Sequence, residues 1–400
     1  MGVVTARDEW VYDLNADSLK TKVSFLIDTY NKQLKNKNDV PSALIKWSDT
    51  LTANFKNKVI LKYDESKICK SLYKPYNHRY FYAEKIMNDR LTGKHKLLFG
   101  ENYIKHNFCI GIIGKDTIIP FSALAFTTIN DLNSLSNAAG GNKTFPLYVY
   151  ENQKHENITD WALNQFQTHY GTKAEARASA RAHKDKMKKS TLADARVSAS
   201  TNGASITKQD IFYYTYGVLH SPQYRRKYEQ NLKREFPRLP FYEDFAQWRD
   251  WGRELMDLHI NYETQEAFAL ERNDLDLTAK RKIVQNSMFD QIGNKIIDDF
   301  VAKPQTKLRA DKENGAIIID SMTTLTGVPA LAWEYKLGNR SALEWILDQY
   351  KEKKPSDATI AERFNTYKFE DYKEQVIDLL KRVCTVSVKT MEIVGQMPGE

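Results

Sequence analysis

Cysteine is scarce in this chain of 400 residues: there are three, Cys69, Cys109 and Cys384, none near another. No CxxC pair occurs, which argues against both a zinc site and a disulfide framework and points to a reducing compartment. Long apolar runs are also missing, and nothing approaches the ~20 residues needed to cross a bilayer. The opening Met-Gly-Val-Val-Thr-Ala-Arg-Asp carries charge where a secretory leader would place an apolar stretch. The expectation is a soluble cytoplasmic protein with no membrane partner.

Several catalytic signatures are absent. No G-x-x-x-x-G-K-[ST] loop occurs, and the nearest approach, Gly111-Ile112-Ile113-Gly114-Lys115-Asp116-Thr117, has the wrong spacing to cradle phosphate. There is no G-x-G-x-x-G opening a helix and no H-E-x-x-H. Without Asn-Pro-Pro-Tyr or Asp-Pro-Pro-Tyr, the chain also lacks the usual flat pocket for an adenine amino group. The eight histidines are scattered, and His220 and His259 fall in helical stretches where packing is the expected role.

What is present is a core-forming composition, 42% hydrophobic with 22 Tyr and 18 Phe, so the chain is globular and long enough for two or three lobes. The net charge of +8 favours an acidic partner, of which nucleic acid is the commonest. The mix of strands and helices lacks regular βαβ alternation, so the expected class is α+β. The expected layout is a mixed-strand N-terminal lobe (1–171), a charged low-complexity insertion (172–205), a helical region (206–305) and a small C-terminal region of strands and helices (306–400).

Within that layout, residues 8–14 read as extended. A helix follows, capped by Asn15, with Leu19, Val23, Leu26 and Tyr30 on one face. Residues 36–41 and 134–144 read as loops. Strands are expected within 68–82, bent at Pro75 and Asn77, and at 107–113, 117–126 and 145–150. The insertion 172–205 reads as a solvated charged helix or a partly disordered insertion, with a basic arm on DNA phosphate as the sharper alternative. Helices are expected at 207–219, 222–234, 243–260 and 279–301, with Phe245, Trp248, Leu255 and Leu258 facing inward from the third. Strands return at 306–311, 316–320 and 331–336. Helices at 341–351 and 371–394 follow, the last carrying Val376, Leu380, Val383 and Ser387 at helical spacing.

Two stretches have the chemistry of sequence reading, which needs Arg, Lys, Asn or Gln at base edges and cations at phosphates. The first holds Lys74, Asn77, His78 and Arg79 on a tight turn, followed by Arg90. The second holds Arg225, Arg226 and Lys227 and runs on to Lys233, Arg234 and Arg238; residues 220–240 contain six Lys or Arg against two Glu. Internal packing for the first, and a solvated face or docking surface for the second, are the competing readings. A third possibility is a Mg²⁺-dependent nuclease, with Asp320 ending one strand and Glu334-Tyr335-Lys336 forming an E-x-K triplet on a later one. That pattern is short and degenerate.

Five segments carry a resemblance: Thr5-Ala6-Arg7-Asp8-Glu9-Trp10-Val11-Tyr12, Tyr73 to Tyr82, Phe145-Pro146-Leu147-Tyr148-Val149-Tyr150, Phe212 to Arg225, and Trp333 to Trp345. In this order they resemble the C-terminal target-recognition region of type ISP single-polypeptide restriction-modification enzymes, over nearly the whole chain apart from about 172–205. Two departures stand out. The family's Arg-Pro-Phe-Asp becomes Lys74-Pro75-Tyr76-Asn77, and the insertion has no family counterpart. The resemblance adds Asn339 and Arg340, in the last segment, to the candidate contacts.

The resemblance implies a non-catalytic module that recognises double-stranded DNA for a bacterial phage-defence enzyme. Methyltransferase and helicase-nuclease domains, with their S-adenosylmethionine, ATP and Mg²⁺, would lie outside this chain, leaving it no cofactor of its own. An excised fragment and a separately encoded subunit both fit.

Overall fold

The computed structural model describes residues 2–36, 42–114, 118–135, 141–171, 206–275 and 304–399, and these form an α+β fold. The opening segment is not extended as expected. Asp8–Val11 makes one helical turn (α1), and only Tyr12–Asp13 is strand (β1). Thr5 accounts for the turn: its Oγ1 donates to Asp8 Oδ1 and accepts from Arg7 N–H. Trp10 and Val11 are buried side by side, which alternation forbids. Helix α2 (Ala16–Lys35) begins as its sequence requires, with Asn15 Oδ1 accepting from the N–H groups of Asp17 and Ser18. Leu19, Val23, Leu26 and Tyr30 are all fully buried. Each buried aliphatic of this kind contributes roughly 1.5–3 kcal/mol.

The first sheet is β1-β3-β2-β6, built on the hairpin of β2 (Ile68–Lys74) and β3 (Asn77–Tyr82), with β6 (Ile129–Asn130) parallel to β2. Pro75 and Tyr76 make the turn, Tyr76 at φ +55°. The second sheet is β5-β4-β7, from β4 (Cys109–Ile113), β5 (Ala123–Phe126) and β7 (Asn142–Pro146). Two expectations need correction here. The strand expected from 117 begins only at Ala123, after Pro120, which has no N–H for a ladder. The single strand expected over 145–150 is two, because Pro146 ends the first and Leu147 turns into the core. Tyr148–Tyr150 (β8) then pairs with Lys154–Glu156 (β9). The loop expected at 134–144 is partly strand, from Asn142.

The helical half opens with α5 (helical over 160–171) after the short α3 (Asp49–Lys56) and α4 (Gly93–Phe99). Then come α6 (Lys208–His220), α7 (Pro222–Lys227), α8 (Glu229–Arg234) and α9 (Phe245–Ile260). A Cβ on Gly252 would stand 1.8 Å from Tyr213 O, and one on Gly217 would stand 2.5 Å from Trp248 O. The facing glycines therefore let α6 and α9 touch backbone to backbone. Phe245, Trp248, Leu255 and Leu258 are buried.

The third sheet, β10-β13-β12-β11, uses Glu271–Asp274, Thr323–Thr326, Ala316–Asp320 and Thr306–Asp311 in that order. The expected strand at 331–336 is instead a helix, α10 (Ala330–Glu334), that runs into the two-residue strand β14 (Lys336–Leu337). Leu331, Trp333 and Tyr335 alternate in sequence, but Ala332 and Trp333 are both buried, which needs helical spacing. After β15 (Arg340–Ser341), Ser341 and Glu344 form a capping box that starts α11 (Ala342–Gln349). The last helix is α12 (Lys373–Gln396), with Val376, Leu380, Val383 and Ser387 fully buried. The helix expected at 279–301, the insertion 172–205 and most of the loop at 36–41 lie outside the described residues.

Two hydrophobic cores result, and neither follows chain order. One gathers α2, the first sheet, the third sheet, α11 and most of α12. The other gathers the outer face of β4–β5, α6 to α9, and Ile393 and Met397 at the end of α12.

Candidate nucleic-acid interface

A chain of buried hydrogen bonds runs from the second core to helix α12. Tyr216 Oη accepts from Ala125 N–H at 2.8 Å and lies 2.5 Å from His259 Nδ1, while His259 Nε2 lies 2.9 Å from Thr390 Oγ1. The chain of bonds links β5, α6, α9 and α12. Burial, with the Arg225 charge nearby, holds His259 down to about 3, and burial likewise pushes His220 well below the usual histidine range. Both histidines are core groups, neutral at ordinary pH.

The hairpin turn supplies four of the candidate contacts. Lys74 is buried; its Nζ donates to Asn133 O at 2.7 Å and sits 3.9 Å from Asp131, whose carboxyl burial raises to about 6. Asn77 is buried too, and its Oδ1 accepts from Arg79 Nε at 3.3 Å. The Arg79 guanidinium lies 4.1 Å from the centre of the Tyr73 ring and reaches Gln349 Oε1 at 3.4 Å. His78 Nδ1 meets Tyr262 Oη at 2.8 Å and Glu263 at 3.6 Å. The hydrogen bond from His78 pulls the Glu263 carboxyl down to about 2. Lys74 and Asn77 thus bond inward to the scaffold, whereas Arg90, further along, is exposed.

A second group converges on the segment Ile119–Ser122. Ser122 Oγ accepts from Gly338 N–H at 2.7 Å, which seats the loop bearing Asn339 and Arg340. Gly338 has φ +68°, and a Cβ there would come 3.0 Å from Ile119. Asn339 is exposed; Arg340 is half-buried, 3.3 Å from Asp348 and 5.3 Å from the Trp345 ring centre. Phe121, in the same segment, lies under the Arg225 guanidinium at 5.8 Å. Arg226 and Lys227 follow on α7 and are exposed. The structure therefore brings Arg225, Asn339 and Arg340 to one place from positions more than a hundred residues apart in the chain. Tyr76 and Tyr335 tie the hairpin turn to the same loop, hydroxyl to hydroxyl, at 2.8 Å.

Sequence reading missed two features of this region. The Ile119–Ser122 segment joins Arg225 to the loop at Gly338, and nothing in its composition marks it. Phe145 and Phe236 pack edge to face at 5.8 Å and remain 40% and 49% exposed beside the basic α8. Exposed aromatics next to cations suit stacking on single-stranded nucleic acid, and Phe236 stands two residues after Arg234.

The E-x-K reading loses its geometry. Glu334 and Tyr335 are not on a strand: Glu334 ends helix α10, and only Lys336 begins a strand. Asp320 is buried, with Oδ1 accepting from Met322 and Thr323 N–H at 2.7 Å each and Oδ2 paired with Lys373 at 2.7 Å. Both of its oxygens hold the scaffold.

Three solved structures are similar to this chain. One described as the cryoEM structure of a DrdV–DNA complex is 37% identical, with a TM-score of 0.81 over 100% of this chain and 36% of its own. The second is a nuclease-deletion mutant of the Type ISP restriction-modification enzyme LlaGI in complex with a DNA substrate mimic (24% identity, TM-score 0.71, all of this chain and 32% of that one). The third is the ATP-dependent Type ISP restriction-modification enzyme LlaBIII bound to DNA (22% identity, TM-score 0.73, all of this chain and 23% of that one). The last two speak to fold alone. This chain thus spans about a quarter to a third of each of those proteins. No curated protein matches it. The family model described as the Type ISP C-terminal specificity domain matches residues 1–379, and the chain belongs to that family.

Proposed function

We propose that this chain reads a short sequence in double-stranded DNA for a single-polypeptide restriction-modification enzyme. It would direct adenine methylation and restriction that segments outside it carry out. The observation that carries the reading is the 37% identity, over the full chain, to a protein solved as a DNA complex. The net charge of +8 agrees, as does the convergence of Arg225, Asn339 and Arg340 on one segment.

In this reading the exposed Arg90, Arg226, Lys227 and Asn339 meet the duplex, while Lys74, Asn77, His78 and Arg79 hold the turn and the loops beside it. Sequence readout comes from loops on a rigid scaffold, and phosphate contacts set the register. The target adenine would leave the stack to enter a methyltransferase pocket in another segment of the parent polypeptide. S-adenosylmethionine, ATP and Mg²⁺ would bind there and in the helicase-nuclease segment, in the bacterial cytoplasm.

Selection from a random duplex pool, using this chain joined to its methyltransferase segment, tests the proposal. One enriched asymmetric motif is expected, together with binding that weakens steeply as salt rises. No enriched motif and no salt-sensitive binding would leave a docking module in its place.

A further inference from the structure

Arg225 differs from Arg79, Arg340 and Lys74. Arg79 lies on the Tyr73 ring and bonds to Asn77 and Gln349, Arg340 pairs with Asp348, and Lys74 lies beside Asp131. Arg225 has one polar contact, from Nε to Leu219 O at 2.7 Å, and no ion pair among the described residues. The groups that bear on its charge are the hydroxyls of Tyr335 and Tyr216, not carboxylates. The residue keeps intermediate exposure to solvent.

Protein nonetheless surrounds the group closely. Burial lowers the guanidinium to about 10, so it stays charged at neutral pH, and that charge helps hold His220 and His259 neutral. A cation drawn partly out of water with no anion beside it costs stability. Such an arrangement fits an anion supplied from outside.

Resting on the reading above, we propose that Arg225 binds a backbone phosphate of the duplex through its two terminal nitrogens, with Leu219 O fixing Nε. Base edges lie at the floor of a groove about 8.5 Å deep, which a recessed side chain cannot reach. Phosphates stand on the outer ridge and can approach the recess. The contact therefore contributes affinity and register without sequence preference. The exposed Arg226 and Lys227 on the same helix extend it along the strand.

The test measures binding of the full chain to its selected target and to a mixed-sequence duplex across a salt series. Thermal unfolding verifies that each variant folds. Arg225→Gln is expected to weaken both duplexes alike, by about tenfold, and to lower the salt slope by about 0.9. Arg225→Lys should keep the slope and bind less tightly, because the fork is lost. Replacing phosphates one at a time by neutral methylphosphonate should reveal one linkage that weakens the unsubstituted chain but not Arg225→Gln. If that variant is too unstable, the same walk on Arg225→Lys decides, a smaller penalty at that linkage being expected and an equal one refuting the contact.

A folded Arg225→Gln that binds both duplexes as tightly as the unsubstituted chain, with the same slope, overturns this inference and leaves the recognition reading intact. Loss confined to the target duplex overturns it in favour of base reading. Failure of the unsubstituted chain to bind any duplex overturns both.

Discussion

Tyr76 Oη and Tyr335 Oη share a hydrogen bond of 2.8 Å between residues 259 positions apart. The bond joins the turn of the β2–β3 hairpin to the loop that carries Arg340, and both rings are buried. Either substitution to Phe leaves the other hydroxyl unpaired in the interior and should cost about 1–3 kcal/mol. The double substitution removes the orphan, so it should cost less than the sum of the two. Urea unfolding of the four proteins measures the coupling; simple additivity would mean that the hydroxyls act independently.

The two buried histidines set an acid limit. His259 is held at about 3 and His220 is also depressed, whereas both take ordinary values near 6.5 once unfolded. For His259 the unfolded chain therefore binds more protons between about pH 6.5 and 3, and stability falls on acidification by about 1.4 kcal/mol per pH unit there, with His220 acting in the same sense below its unfolded value. Asp131, raised to about 6, opposes this between its unfolded value and 6. In His259→Asn the slope of stability against pH, followed by urea unfolding from pH 7 to 5, should be shallower. An unchanged slope would mean that His259 is protonated in the fold.

Gly252 faces the Tyr213 carbonyl of the crossing helix with no room for a methyl group. Gly252→Ala should push α6 and α9 apart and destabilise by about 1–3 kcal/mol, although alanine is the better helix former. A thermal midpoint equal to or above that of the parent would show the crossing to be looser than this geometry requires.

Asp320 is buried and pairs with the partly exposed Lys373 at 2.7 Å. Asp320→Ala leaves two N–H groups without their acceptor and Lys373 with Thr323 Oγ1 alone, and a loss of about 1–3 kcal/mol is expected. Glu334→Ala, at an exposed helix end, should fall within about ±0.5 kcal/mol. Plasmid incubated with the chain and Mg²⁺ should stay uncut with either variant and with the parent. Cleavage lost in Glu334→Ala would restore the nuclease reading.

Helices with a full apolar stripe were legible in the sequence. Asn15 and the 4-3-4 spacing of Leu19, Val23, Leu26 and Tyr30 define α2, Asp244 and its stripe define α9, and α12 is defined by its stripe alone. The hairpin was legible because Pro75 interrupts two aromatic runs. Glu271–Asp274 was not, because all four residues are exposed, with no alternation of apolar and polar residues to mark a strand. The run 331–336 misled because three spaced apolar residues fit a strand as well as a short helix. For the site, the sequence offered the right cations but not their surroundings. Lys74 and Arg225 look alike as basic residues in shared segments, yet one lies beside an aspartate and the other beside a phenylalanine ring.

Helix α12 serves one core through Val376 to Val386 and the other through Ile393 and Met397, with Thr390 meeting His259 between them. During synthesis the second core therefore waits for residues encoded at the very end of the described chain. Until the ribosome has released them, α6 and α9 lack their last partner. A stop codon placed before Ile393 would remove both of these residues from the second core and leave Val376 to Val386 in the first.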